Sequence, residues 1–476
     1  MSVRASPRRI QRRRARLAGL VGLLVAIAIV TATTQSGSVA PPPHAGAALG
    51  ATAGDPFAYR SSREPEFVAR ATAGEAHPLF TQSPDGALAT AQRVAAYRPL
   101  IDRVTAGTGI DPNLLEGLVF VESAGRPEVI AGADPSAAAG LTQILAATGQ
   151  TLLGMNIDLA RSRALSAQVD AVAAGTRRGF LAPLLARRAA ADPRFNPAAE
   201  LAATVRYLED ARAQFGREDL ALESYHMGIG NLHQVLSDYD GGQPVPYAQL
   251  YFDTNPQFHR RAFDLLAGLG DDSSLYLWRI LGAVQIMRLY RTDRPALRRL
   301  AALQTAAPSD ALVLQPPDRT PRFSDPAALS AGYQRRALVP LPTNAAQLGL
   351  AYDASMGSDA GRLGAPRALY RGLRPVALRM LIALAARVRS LSGDTGPLHV
   401  LSAAADQQYV DRSGTGFASS PDGYSFQISR RYASAAQATA FQAVLDRLQA
   451  LNLIAFSREP AAIDITVARD AGGWAK

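Results

Sequence analysis

Residues 109–144 read GIDPNLLEGLVFVESAGRPEVIAGADPSAAAGLTQI, and the reading of this stretch decides the fold of the first half of the chain. Asp111 can accept hydrogen bonds from the first free N–H groups of a helix, and Pro112 suits the first helical position. Ile110 and Leu115 stand where a hydrophobic staple would hold the entry. Leu114, Leu115, Leu118 and Val121 recur at helical spacing and predict the core-facing stripe. Glu122 falls on that stripe, four residues after Leu118. A carboxylate there is either paired with a cation or kept protonated by desolvation. The first state is a buried Glu–Arg pair; the second suits a general acid near neutral pH.

The 476 residues allow two or three domains, and 48% hydrophobic against 19% charged residues describes an alanine-rich, core-forming protein. The net charge of +10 owes most to Arg4, Arg8, Arg9, Arg12, Arg13, Arg14 and Arg16, so the rest is only mildly basic. That argues against nucleic acid as a partner, since binding it calls for a basic patch within a folded domain. With no cysteine there is no disulfide framework, thiolate zinc site or lipid-modified cysteine.

Residues 1–16 form a basic cytoplasmic region, and 17–33 an apolar signal or anchor helix. Val30-Thr31-Ala32 and Ser38-Val39-Ala40 have small residues where a signal peptidase could cut, but Pro41 counts against the second. An uncleaved anchor in the cytoplasmic membrane is the favoured reading, with the remainder extracytoplasmic. Residues 34–80, with Ala40-Pro41-Pro42-Pro43 and few large apolar side chains, read as a flexible stalk.

Three blocks further on carry more information. Glu122-Ser123 is followed by Gly140-Leu141-Thr142-Gln143-Ile144, and later by Tyr225-His226-Met227-Gly228-Ile229-Gly230-Asn231. In that order they resemble the soluble lytic transglycosylase family over about residues 90–300. The resemblance implies a mainly α, goose-type lysozyme-like domain, assigned to 85–305, acting on peptidoglycan glycan strands. It further implies that one Glu protonates the departing glycosidic oxygen, while the substrate's N-acetyl group stands in for a second carboxylate. The same Glu then takes a proton from the C6 hydroxyl, and a 1,6-anhydro end forms without water. No cofactor or metal is called for.

On this resemblance Glu122 is the acid–base residue. Ser123 either contacts substrate or bonds locally. Gln143 matches the substrate-contacting glutamine, its amide able to donate and accept. Tyr225 matches the tyrosine near the catalytic carboxylate. His226 stands where the family commonly has Asn, which adds a titratable group. Gly228, Gly230 and Asn231 fit a tight turn, with Asn231 expected to cap the next helix. Glu223 is the candidate second carboxylate of an alternative muramidase, or a solvated or paired helix residue. A catalytically inactive wall-binding scaffold is the remaining alternative.

Between the Gln143 and Tyr225 blocks, 154–190 reads as an extra helical piece, and Asn196-Pro197 start a helix ending at Gly216. Tyr247 and Tyr251 form either an aromatic wall for sugar rings or core packing. Leu275 to Tyr290 reads as a core helix.

Residues 306–368 read as linker or irregular wrapping. From 369 to 476, helix, strand, strand, helix, strand predict a small α+β domain. It resembles zinc D,D-peptidase domains, but Ser419-Ser420-Pro421 lacks the first His, Gln427 replaces the Asp, and Glu459-Pro460-Ala461-Ala462 lacks the last His. The resemblance therefore implies a domain without its metal, acting as a stem-peptide binder or spacer.

Overall fold

The computed structural model describes residues 57–175, 178–270, 272–306, 309–413 and 421–474. The basic region, the expected anchor and the stalk up to residue 56 lie outside the described residues. Among the described residues no helix is long and apolar enough to cross a membrane. The protein is mainly helical, with a small sheet region toward the C-terminus.

The chain divides into two compact units, with Ala89–Gln214 in the first and Phe215–Lys476, joined by residues from 51 to 88, in the second. The expected single domain 85–305 is therefore cut just after Gln214.

The first unit is all helix and loop. The Arg98–Thr105 helix packs against the Pro112–Ser123 helix. The piece at 154–190 is a packed pair, Leu159–Ala173 and Leu181–Ala191. The long helix Pro197–Phe215 begins as expected: Asn196 Oδ1 accepts from the N–H groups of Ala198 (3.0 Å) and Ala199 (3.2 Å).

The second unit opens with helices where the stalk was expected. Glu64–Gly74 and His77–Thr81 are helical and bury Phe67, Leu79 and Phe80. The stalk reading fails from residue 57 onward because a few large side chains suffice when a partner surface exists. Phe67, fully buried, meets Phe252 at 5.1 Å and Trp474 at 5.0 Å, both edge to face. Trp474 Nε1 donates to Glu66 Oε1 (2.7 Å), and Arg63 lies 3.8 Å over the indole. Burying one such aromatic side chain contributes about 1.5–3 kcal/mol. The first described helix is thus fastened by the last described residues.

The region 306–368 is not a linker either. It supplies the helix Pro326–Gln334 and the strands β1 (Val339–Pro340) and β2 (Leu350–Tyr352). Phe323, Leu329, Leu338, Ala360 and Tyr370 form a buried cluster there. Strand β3 (Gly372–Leu373) pairs antiparallel with β1. A five-stranded sheet has the order β2-β4-β5-β7-β6, with β4 Leu398–Ser402, β5 Ser425–Ser429, β6 Ile454–Arg458 and β7 Ala462–Val467. β2 runs parallel to β4 and the other pairs are antiparallel. Sequence reading found β4, β5 and β7 but missed β2 and β6. The helices Pro375–Ser392 and Ala435–Ala450 pack against each other. Tyr276–Thr292 is a core helix, with Trp278 fully buried.

Candidate functional site

In the first unit the Pro112–Ser123 helix is built as its sequence dictates. Asp111 Oδ1 accepts from Asn113 N–H (2.8 Å), and Ile110 and Leu115 are both buried. Every residue from Leu114 to Phe120 is buried, so burial runs all round the middle of the helix rather than along one stripe. The fully buried carboxylate on it is Glu116, ion-paired with Arg98 Nη1 at 3.3 Å. Glu122, by contrast, is half-buried, as is Val121. The expectation of a desolvated Glu122 is corrected: the bland alternative, a buried Glu–Arg pair, exists six residues earlier. Glu122 escapes full burial because it lies in the last turn. Ala124 (φ 55°) ends the helix in the left-handed region and Gly125 (φ 73°) turns the chain away. A Cβ on Gly125 would come within 2.9 Å of Val94 N, so only glycine fits.

Ser123 is buried and turns its hydroxyl back on its own helix, donating to Val119 O at 3.3 Å. Local bonding, rather than substrate contact, is the role this geometry gives it.

The loop that follows is held by charges absent from the sequence reading. Arg194 and Asp192, both fully buried, form an ion pair at 2.7 Å. Arg194 also donates to the carbonyls of Pro135, Ala137 (2.9 Å) and Ile144 (3.0 Å). Fully buried Glu200 accepts from Leu141 N–H (2.6 Å), Thr142 N–H (3.0 Å) and Thr142 Oγ1 (3.1 Å). Burial pushes the Glu200 carboxyl up to about 8 against these donors and the Arg194 charge. Gly140 (φ 91°) lies where a Cβ would be 2.1 Å from Arg194 O and 2.3 Å from Glu200 Oε1. Glu200 could have been found by the rule applied to Glu122: it shares a helical face with Thr204 and Leu208, both buried.

Gln143 sits on this pinned loop in the left-handed region (φ 55°), strain that a non-glycine residue tolerates only when its surroundings fix it. Its Nε2 donates to Gly140 O (2.8 Å) and Val129 O (3.3 Å). Both partners are carbonyls, so the amide nitrogen must face them and Oε1 is left to accept from a ligand. The expectation that Gln143 both donates to and accepts from a sugar amide narrows to accepting. The bond to Val129 ties Gln143 to the segment leaving the Glu122 helix.

In the second unit, the helix Glu218–Met227 carries Glu223, Tyr225 and His226. Glu223 is fully buried, its Oε2 accepting from Leu277 N–H at 2.9 Å. It serves the start of the Tyr276–Thr292 helix. A base that activates water needs access to it, so Glu223 leaves the list of candidate second carboxylates. Tyr225 is half-buried and parallel to Tyr276, centroids 6.5 Å apart. His226 stacks on Tyr276 at 5.0 Å, with Nδ1 2.8 Å from Ser273 Oγ.

Gly228 (φ 86°) makes the turn between Glu218–Met227 and Ile229–Asp240. Gly230 and Asn231 are already inside the second helix. Asn231 does not cap that helix: its Nδ2 donates back to Met227 O (2.8 Å), satisfying the end of the preceding one. Tyr247 and Tyr251 are buried, so packing, not an aromatic wall, is their role; Arg447 lies 3.5 Å over Tyr251.

Of the peptidase-like positions, Ser419-Ser420 lie outside the described residues. Gln427 Nε2 donates across the sheet to Asp464 (2.8 Å), and His399 is exposed on β4. Among the described residues no group of three or more His, Asp or Glu could hold a metal ion.

No family model matches the chain, and no curated protein matches it.

Proposed function

We propose that the chain is an extracytoplasmic lytic transglycosylase of peptidoglycan, with a lysozyme-like catalytic region and Glu122 as acid and then base. The observation that carries this reading is that the first unit holds a half-buried carboxylate at the end of a buried helix and, tied to the segment leaving that helix, a glutamine in the left-handed region. Glu122 is accessible enough to meet a glycan. It would protonate the oxygen between MurNAc and GlcNAc as that bond breaks. The N-acetyl carbonyl of the substrate then closes on the anomeric carbon. Glu122, now a carboxylate, takes the C6 hydroxyl proton as O6 displaces the carbonyl, leaving a 1,6-anhydro end. Gln143 Oε1 suits the N–H of an N-acetyl group. An N-terminal anchor in the cytoplasmic membrane would keep the enzyme at the wall.

The test is digestion of purified peptidoglycan by the full chain and by Glu122→Gln, with fragments weighed by mass spectrometry. Anhydro ends from the parent alone, reduced about 10²–10⁴-fold in the variant, support the reading. Reducing ends instead indicate a muramidase, and intact wall with both proteins a binding scaffold.

A further inference from the structure

Five of the twelve residues 288–299 are arginines, and Asp293 is the single acid among them. All five arginines are exposed. Elsewhere on the surface arginines meet acids along their own helices, as in Arg98 with Asp102, Arg260 with Asp264 and Arg362 with Asp359. Here Arg288, Arg298 and Arg299 have no ion pair among the described residues. Asp293 is spent on a helix start, its Oδ1 accepting from Ala296 N–H at 2.9 Å. Arg294 Nε donates to Tyr290 O (3.0 Å), and its guanidinium lies 4.3 Å over the Tyr290 ring.

The arginines share one corner of the second unit. The helices Tyr276–Thr292 and Arg294–Thr305 pack against each other and are joined by Asp293 alone. Arg294–Thr305 buries Leu297 and Gln304 and turns Arg294, Pro295, Arg298, Arg299, Ala302 and Thr305 to solvent. Arg288 and Arg291 lie on the outer side of the other helix, beside Gln285 and Thr292. No exposed large apolar side chain belongs to this corner among the described residues, so charge is what it presents. That charge costs the fold stability. Arg288 and Arg291, three apart, and Arg294 and Arg298, four apart, repel each other. Arg294 also stands in a first helical turn, where the helix dipole disfavours a cation. An external polyanion relieves all three penalties at once.

We propose that this arginine face docks on a lipid bilayer carrying anionic phosphate headgroups. Guanidinium groups pair with phosphate oxygens through two parallel N–H donors. The way the chain enters the unit selects a bilayer among polyanions. The helix Glu64–Gly74 packs on Tyr276–Thr292, and His77–Thr81 packs on Arg294–Thr305, with His77 Nδ1 2.8 Å from Gln304 Oε1. Residues 34–56, between the proposed anchor and the first described residue, span at most about 80 Å. The anchor thus delivers the chain to the two helices that bear the arginines and holds them within reach of headgroups. The choice of a bilayer rests on that anchor, while nothing in it depends on Glu122 or on wall cleavage. Each arginine near an anionic surface raises partition about fivefold.

The test uses energy transfer to the membrane surface. The protein has no cysteine, so Ala302→Cys, exposed on the same face, carries a single donor dye. The full chain is reconstituted with vesicles of phosphatidylcholine, alone or with about 30% phosphatidylglycerol, that hold acceptor dye on their headgroups, at about 0.1 M and about 0.5 M salt. Transfer should be at least about twofold higher on the anionic vesicles at low salt, and should fall to the neutral-vesicle level at high salt. Adding Arg298→Gln and Arg299→Gln should lower it to the same level, since two lost charges weaken partition about 25-fold. Equal transfer on both vesicle types at both salt levels overturns the proposal. Transfer that ignores lipid charge while inorganic polyphosphate binds the labelled chain assigns the face to a soluble polyanion, and overturns it too. Flotation keeps the two readings apart: a chain that floats only with anionic vesicles lacks the anchor but keeps the docking face, and one that floats with both but transfers equally keeps only the anchor.

Discussion

Glu200 in the first unit and Glu75 in the second are both buried carboxyls raised by desolvation, to about 8 and about 7, but they end in different company. Glu200 accepts two backbone N–H groups and a hydroxyl, and the loop it holds carries Gln143. Glu75 accepts nothing among the described residues and faces a cavity. The difference teaches that burial alone does not make an acid part of the hydrogen bonding that holds the fold. What separates them is whether the donors come from the fold itself.

The contrast can be broken by substitution. Arg194→Ala should have the largest effect, about 3–5 kcal/mol lost from the first unit, because Asp192 is left buried without its cation. Amide exchange at Leu141 and Thr142 should accelerate accordingly. In the second unit, Phe67→Ala should cost about 3–5 kcal/mol by opening a cavity beside Trp474. A stalk residue would cost nothing, so denaturant unfolding followed by tryptophan fluorescence distinguishes the two.

A matched pair of substitutions sharpens the comparison. Glu200→Gln turns one acceptor into a donor facing buried N–H groups, and should cost about 1–3 kcal/mol. Glu75→Gln loses no fold-derived bond and should raise stability at pH 7, where the parent carboxyl has begun to charge in its buried site. Equal losses in the two variants would end the distinction.

The same burial sets a pH slope. Glu75 rises from an ordinary 4.5 to about 7, so the folded protein holds a proton that the unfolded chain has released. This contribution to stability is fully present below pH 4.5 and is lost as pH rises through 7. Glu75→Gln should flatten denaturation midpoints over that window, leaving the similar slope from Glu200, which runs to about pH 8.

Much of the local structure was legible in the sequence. Asp111-Pro112 and Asn196-Pro197 marked two helix starts, because a cap and a fixed φ act within a few residues. Alternation found β4, β5 and β7, each buried enough to show its period. β2 was missed since a three-residue strand carries no period of its own, and β6 since its last residues are exposed. Asn231 was misread because a turn motif does not say which of two helices its side chain will serve.

Sequence by itself determined the helix carrying Glu122 and its capped start. These depend on backbone geometry and on neighbours close along the chain. Tertiary structure alone decided which acids are buried and what meets them: Glu116 with Arg98, Glu200 with a loop 58 residues before it, and Glu75 with a cavity. Desolvation depends on every chain segment that surrounds a charge, and those segments lie far apart in sequence.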